Sequence, residues 1–524
     1  MGIDTVMKQS MRRFFSIVTA ASLLTASAHA AAPVPAPPVA TAKTTAKDPI
    51  AEFPNRVKKF TLPNGLRAIV VERPESPTVS FAMYIRTGGI DDEMGKSGLA
   101  HMFEHMLFKG TQTIGTKDYA KEEPLLIKID DAAIALQAES DKGDKADKAK
   151  LKALTDHFAA LEKEHASLIK EEEFWKIYQR AGGEDMNAST GFDYTDYVIS
   201  LPISQLNLWF AMEADRIQHP VLREFYKERA VVMEERRMRF DNSPSGKLWE
   251  VFLAAAFMAH PYGRPIVGWE SDITRVTRPD AQRFFKAHYD ISRMVIGIVG
   301  GVKASEIEAL LKKNFGPIKS VPVKDTSHIP VEPPQEGERR VQVLYDAEPA
   351  IVMGFHRPSM RHPDHAALSV LESVLSEGRT SRLHRSIVEK QRIGVDAWAD
   401  AAAPGERDPS LFVVGGEPRA PHTTADMEKA LNAEIERIKK DGPTEAELKR
   451  VKTNLEAGVI RSMSSNGGLA NELAYLESVA GDWHYVIDLI EGIRGVTAAD
   501  VTRVARTYLT PENRTVAEIV RKKS

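Results

Sequence analysis

Two segments far apart in the chain follow one template, and that repetition constrains the fold more than any other feature. "ITRVTRPDAQRFFKAHY" (273–289) precedes the apolar run "MVIGIV", and "IRGVTAADVTRVARTY" (493–508) precedes "TVAEIV". Each carries Val-Thr, an Asp three residues after the Thr, an Arg three further on and a closing Tyr: Val276-Thr277, Asp280, Arg283 and Tyr289, then Val496-Thr497, Asp500, Arg503 and Tyr508. A helix feeding a buried strand, met twice, predicts two halves of one design. The Pro-rich, strand-poor stretch "KSVPVKDTSHIPVEPPQEG" between them reads as a linker over 321–337. The halves are therefore expected at 51–320 and 338–524. A chain of 524 residues is in any case too long for one ordinary core.

Strands and helices mix within each half, which indicates an α+β fold. "FTLPNGLRAIVVE" alternates around Asn64-Gly65, a hairpin signal, and "TVSFAMYIRTGG" continues as a strand. "DYTDYVISLP" and "RMVIGIVGG" read as further strands, and "SQLNLWFAMEADRIQ" as an amphipathic helix.

Lys8, Arg12 and Arg13 precede "FFSIVTAASLLTASA" and the small-residue site Ala28-His29-Ala30, so residues 1–30 are expected to be a secretory signal peptide. A transmembrane anchor is the alternative, but the apolar run is shorter than the ~20 residues a spanning helix needs. Cleavage would leave an exported chain with no membrane span. Residues 31–50 are Pro/Ala-rich and read as an extended tether. The net charge of −3, with its one compact basic cluster in the leader, gives no electrostatic footprint for nucleic acid. There is no cysteine, so any metal must be held by histidines and carboxylates.

Residues 119–178 read as an insertion. Leu126, Ile129, Ala133 and Leu136 recur at helical spacing, a charged turn "SDKGDKADK" follows, and Leu151, Leu154, Phe158, Leu161 and Leu168 resume it. The pattern predicts a two-helix antiparallel arm, the alternative being a solvated charged excursion.

The chemistry concentrates in "GLAHMFEHMLFKGT" (98–111). On a helix, His101 and His105 at i and i+4 point the same way and can direct ring nitrogens at one ion. Glu104 stands beside them, placed to take a proton from water. This H-x-x-E-H order belongs to inverted zinc peptidases. From the motif alone, two helix histidines satisfied by hydrogen bonds in a core remain the other reading, and a catalytic zinc needs a third protein ligand.

This motif, together with "GGEDMNASTGFDYTDYVISLP", "AMEADR" and "ERAVVMEERRMRFDNSP" in that order, resembles the pitrilysin and mitochondrial-processing-peptidase family. The resemblance spans nearly all of the chain after the tether. It implies two homologous domains of mixed, mostly antiparallel sheet packed with helices, the first carrying one Zn2+ ion. It also implies Glu235 as the third ligand and Glu228, seven residues earlier, as its supporting carboxylate, with Glu234 the neighbour that could be mistaken for the ligand. Glu104 would be the base of a peptide-hydrolysing reaction. Asn187 and Ala188 would lie on an edge strand along which an extended peptide substrate is added; read from the residues alone, that stretch is a β-rich turn and strand. The chain departs from the family in the distance between the motif and Glu235, longer by about the proposed arm.

Laying the second half on the first puts Ser369 and Ser373 where His101 and His105 stand, with only Glu372 retained opposite Glu104. The second half is thus expected to bind no zinc. The histidines of "HRPSMRHPDH" (356–365) read as loop residues, because Pro363 interrupts them and no carboxylate has ligand spacing. Family members that act alone often carry an arginine and, seven residues on, a tyrosine in the C-terminal half; Val388 and Val395 occupy those positions here. The resemblance then implies a heterodimer in which a related second subunit supplies the Arg/Tyr pair, with a homodimer as runner-up. The functional expectation is a zinc-dependent endopeptidase of the bacterial periplasm acting on peptides or unfolded segments. A non-catalytic peptide-binding or assembly subunit is the alternative.

Overall fold

The computed structural model describes residues 49–321 and 329–521. The expected signal peptide lies outside the described residues, as do all but the last two residues of the expected tether and part of the expected linker. The tether ends sooner than expected: Pro49–Glu52 is helical, and Ile50 is buried against the first sheet because it is apolar and has a core within reach.

Eleven strands among the described residues form two sheets. The first contains β1 (Val57–Thr61), β2 (Arg67–Glu72), β3 (Thr78–Ile85), β4 (Glu184–Thr190), β5 (Thr195–Pro202) and β6 (Met294–Gly300), in the order β1-β2-β6-β3-β5-β4. The second contains β7 (Arg339–Tyr345), β8 (Ala350–Arg357), β9 (Trp398–Ala403), β10 (Ser410–Gly416) and β11 (Arg514–Arg521), in the order β7-β11-β8-β10-β9. Matching β2, β6, β3, β5 and β4 to β7, β11, β8, β10 and β9 reproduces every pairing. In both sheets the first of these pairs is parallel and the rest are antiparallel. The fold is thus mixed α/β with two sheets of one topology, as the repeated segments imply.

The helices that matter below are α1 (Leu99–Met106), α2 (Tyr119–Ser140), α3 (Lys148–Ala166), α4 (Glu173–Arg180), α5 (Leu206–Gln218), α6 (Phe225–Arg236), α7 (Pro244–Ala256), α8 (Arg278–His288), α9 (Ala304–Asn314), α10 (His365–Ser376) and α11 (Asn466–Val479). One face of the first sheet, with Val70, Phe81, Met83 and Ile298, packs on helices of its own half, α1, α5, α8 and α9 among them. The opposite face, with Ile69, Val71, Ala82 and Val299, is covered by Leu469, Ala470 and Leu473 of α11, a helix of the second half. The second sheet is treated reciprocally: Val352, Leu411, Val413 and Ala517 pack on Leu248, Phe252 and Ala256 of α7, from the first half. Each half therefore lends a helix to the other, and both sheets are buried on two faces, which accounts for wholly apolar strands such as β6. Gly297 permits the close approach, since a Cβ there would stand 2.1 Å from the carbonyl oxygen of Ala470.

Within the expected insertion, α2 and α3 form an antiparallel helical pair, with Leu126, Ile129, Ala133 and Leu161 buried. It is docked on the first half rather than free. The segment expected to end the arm instead belongs to the domain core: α4 buries Phe174 and Tyr178 there, and Arg216 stacks over Phe174.

Candidate metal centre

The helix α1 starts where the chain needs a left-handed residue. Gly98 has φ +93°, and a Cβ there would meet the carbonyl oxygen of Val267 at 2.4 Å. Asp92 caps the start by accepting from the amides of Gly98 at 2.7 Å and Ala100 at 2.9 Å. Against α1 lies α6, which brings Glu228 and Glu235, two helical turns apart, to the same side.

His101 Nε2 stands 3.5 Å from Glu235 Oε1, and His105 Nε2 stands 3.4 Å from Glu235 Oε2. One donor atom from each of the three residues lies within 4.8 Å of the others, and no other such group of His, Cys, Asp or Glu occurs among the described residues. The nitrogen–oxygen separations exceed the usual N–H···O range of about 2.7–3.2 Å. They match two ligands each ~2.0–2.1 Å from a common tetrahedral ion, which fall about 3.4 Å apart. Two imidazoles and a carboxylate are also the donor set that zinc accepts. The residues fit the ion.

Outside that triangle, Glu228 Oε1 is 2.9 Å from His105 Nδ1 and its Oε2 is 2.6 Å from Lys109 Nζ. Burial works against the charge on Glu228, but the hydrogen bonds from His105 and Lys109 prevail and hold its carboxyl down at about 2. Burial likewise disfavours a charged His105, yet Glu228 and Glu235 outweigh it and raise the imidazole to about 9. Burial opposes ionisation of Glu235 too, and the two histidines overcome it, keeping the carboxyl well below its ordinary range. Arg239 adds a contact of 2.8 Å to Glu235 Oε1. Glu234 is exposed and paired with Arg237, away from the cluster.

Glu104, half-buried on the same helix, accepts from Thr190 Oγ1 at 2.6 Å. Thr190 ends β4, the edge strand of the first sheet, which pairs only with β5. Asn187 and Ala188 sit in that strand opposite Val198 and Tyr197, just past a register shift that begins at Glu184. Thus His101, His105 and Glu235 converge, Glu228 stands behind His105, Glu104 is flanked by the edge strand, and Asn187 and Ala188 lie on it.

Sequence reasoning missed Thr190, Lys109 and Asp92. Lys109 carried a signal, standing four residues after His105. Thr190 lies two residues past Ala188 and so on the same strand face. In the second half, Ser369 Oγ donates to its own helix at His365 O, and buried His365 contacts the Arg357 guanidinium through Nδ1. Neither belongs to a metal cluster.

The profile described as insulinase (peptidase family M16) matches residues 67–124, which include α1, and the profile described as peptidase M16 inactive domain matches 275–455. The chain carries M16 peptidase family domains. It is 29% identical over 461 residues to a protein of Helicobacter pylori named zinc protease PqqE, covering 86% of this chain and 90% of that one. It is 25% identical to a probable mitochondrial-processing peptidase subunit beta of Arabidopsis thaliana, over 86% of this chain and 75% of the other. Among solved structures, a protease from Helicobacter pylori superposes with TM-score 0.73 at 28% identity, covering 88% of this chain and 99% of that one. The periplasmic protease PqqL from Escherichia coli shares the fold with TM-score 0.65 at 18% identity; the match covers 89% of this chain and 48% of PqqL. No helix among the described residues is long and apolar enough to cross a membrane.

Proposed function

We propose that this M16 chain is a zinc-dependent endopeptidase, with His101, His105 and Glu235 as ligands and Glu104 as general base. The observation that carries the reading is the convergence of two imidazole nitrogens and one carboxylate at ligand spacing. A zinc ion bound there would polarise a scissile carbonyl and make water more acidic. The protein supplies the rest. Thr190 fixes one oxygen of Glu104, leaving the other to take a proton from water and pass it to the leaving amine. The unpaired edge of β4 at Asn187 and Ala188 offers backbone groups to an extended peptide. Glu228 orients His105 through Nδ1.

The leader's Lys8, Arg12 and Arg13 followed by an apolar run support export, and the bacterial periplasm is the proposed compartment. Val388 and Val395, the latter exposed, stand where self-sufficient relatives carry arginine and tyrosine. That substitution supports a heterodimer with a related chain supplying both, ahead of a homodimer. It is also the one observation favouring the second reading, a non-catalytic peptide-binding subunit. Glu104→Gln separates the two: the variant is expected to bind one zinc per chain by metal analysis and to cleave unfolded peptide at least 100-fold more slowly, the lower end of what a general base contributes. Cleavage at the wild-type rate refutes Glu104 as base. A wild-type chain that cleaves nothing, alone or with its copurified partner, favours the binding subunit.

A further inference from the structure

The arm docks on the metal centre's own scaffold through a buried arginine. Arg223, 1% exposed, lies two residues before α6. Its Nε donates to Glu122 Oε1 at 2.7 Å, and one terminal nitrogen donates to Glu122 Oε2 at 3.1 Å and to Thr111 O at 2.6 Å. The other donates to Lys109 O at 2.7 Å and Ile114 O at 3.0 Å. All five guanidinium donors are used, two on the arm and three on the loop that leaves α1. That loop is shaped to receive them: Gly110 and Gly115 are left-handed, and a Cβ on either would come within 3.1 Å of the guanidinium.

Glu122 is fully buried at the start of α2, and His165 at the end of α3 reaches its Oε1 at 3.0 Å, so the second limb of the arm holds the carboxylate that the arginine grips. A second grip lies further along. Asp130 of α2 accepts from Tyr226 Oη on α6 at 3.0 Å and pairs with Arg278 of α8 at 2.6 Å. Between these grips Glu224 holds a left-handed backbone, φ +57°, a strain that only surrounding contacts can maintain.

The path continues to the ligands. Lys109, whose carbonyl Arg223 holds, places its Nζ on Glu228, and Glu228 holds His105 Nδ1. We propose that Arg223 is a positioning residue for the metal centre, and that the helical arm is the clamp that fixes it. The glutamate helix α6 and the histidine helix α1 are thereby locked at ligand distance. The inference rests on His101, His105 and Glu235 being zinc ligands.

The test measures zinc affinity by chelator competition, and the unfolding midpoint of the metal-free protein, for wild type, Arg223→Lys, Lys109→Met and the double variant. Lysine keeps a charge beside Glu122 but cannot reach three carbonyls at once. Each single variant is expected to lose about tenfold in zinc affinity. The double variant is expected to lose little more than either, because both act on one path. If Arg223→Lys does not fold, Glu122→Gln takes its place, with the same expected loss. Should either variant lower the unfolding midpoint yet bind zinc within twofold of wild type, Arg223 is only a brace and the inference is overturned. A wild-type chain that binds no zinc overturns the metal reading along with it.

Discussion

Zinc binding should release a proton, and the structure says from where. In the metal-free chain His105 is clamped between Glu228 and Glu235 and holds its proton up to about 9, whereas a ligating imidazole must present a bare nitrogen. The sign follows: below pH 9 the ion competes with the proton, so apparent affinity rises with pH until His105 is neutral. At pH 7 the ratio of protonated to neutral imidazole is about 100, worth roughly 2.7 kcal/mol at 1.36 kcal/mol per pH unit. Apparent affinity should therefore climb close to tenfold per pH unit from 6.5 to 8.5 and flatten above 9. Calorimetric titration at pH 7 in buffers of different ionisation enthalpy should count about one proton released per ion. Glu228→Gln removes one of the two carboxylates that hold the proton, so its rise should flatten at lower pH. A wild-type affinity that is constant from pH 6.5 to 8.5, with no proton released, would refute the reasoning.

Two substitutions test other joints of the structure. Thr190→Val removes the hydroxyl that holds Glu104 and should lower kcat about tenfold, equivalent to ~1.4 kcal/mol, with KM and zinc content unchanged; steady-state kinetics on an unfolded peptide will show whether it does. Gly297→Ala sets a Cβ 2.1 Å from Ala470 O and should push α11 off the first sheet, destabilising the fold by about 1–3 kcal/mol in a urea unfolding curve.

What could be read from the residues was what local chemistry decides. The repeated segments really are helix starts: Thr277 with Asp280 and Thr497 with Asp500 each form a capping box, a contact within four residues. Asn64-Gly65 turns the chain between β1 and β2 because Gly65 takes φ +89°, and His101 and His105 share a face because four residues make one helical turn. The carboxylates behind the histidines were of another kind. Glu228 meets His105 across 123 residues, and nothing in "ERAVVMEE" separates it from a solvated face without the resemblance. The exchange of α7 and α11 was equally hidden, since an apolar helix face does not state which sheet it covers. The arm's docking left a trace that went unread: Glu122 and Asp130 stand on its buried face, where a free hairpin has no use for a charge.

The second half keeps one glutamate of the proposed site but not its surroundings. Glu372 takes the place of Glu104 on α10, but burial, with Asp400 and Glu377 nearby, pushes its carboxyl well above the ordinary range. Burial of that kind disfavours the charged carboxylate that a general base needs, so Glu372 is a poorer proton acceptor than its place on the helix suggests. In the first half Glu104 accepts from Thr190 Oγ1 and stands beside His101 and His105 on α1. Restoring imidazoles with Ser369→His and Ser373→His would therefore still leave the remaining glutamate in surroundings that disfavour its charge. That double variant should bind no additional zinc, since two imidazoles alone fall short of the three protein ligands a zinc site uses, and a second tightly bound ion by metal analysis would refute this.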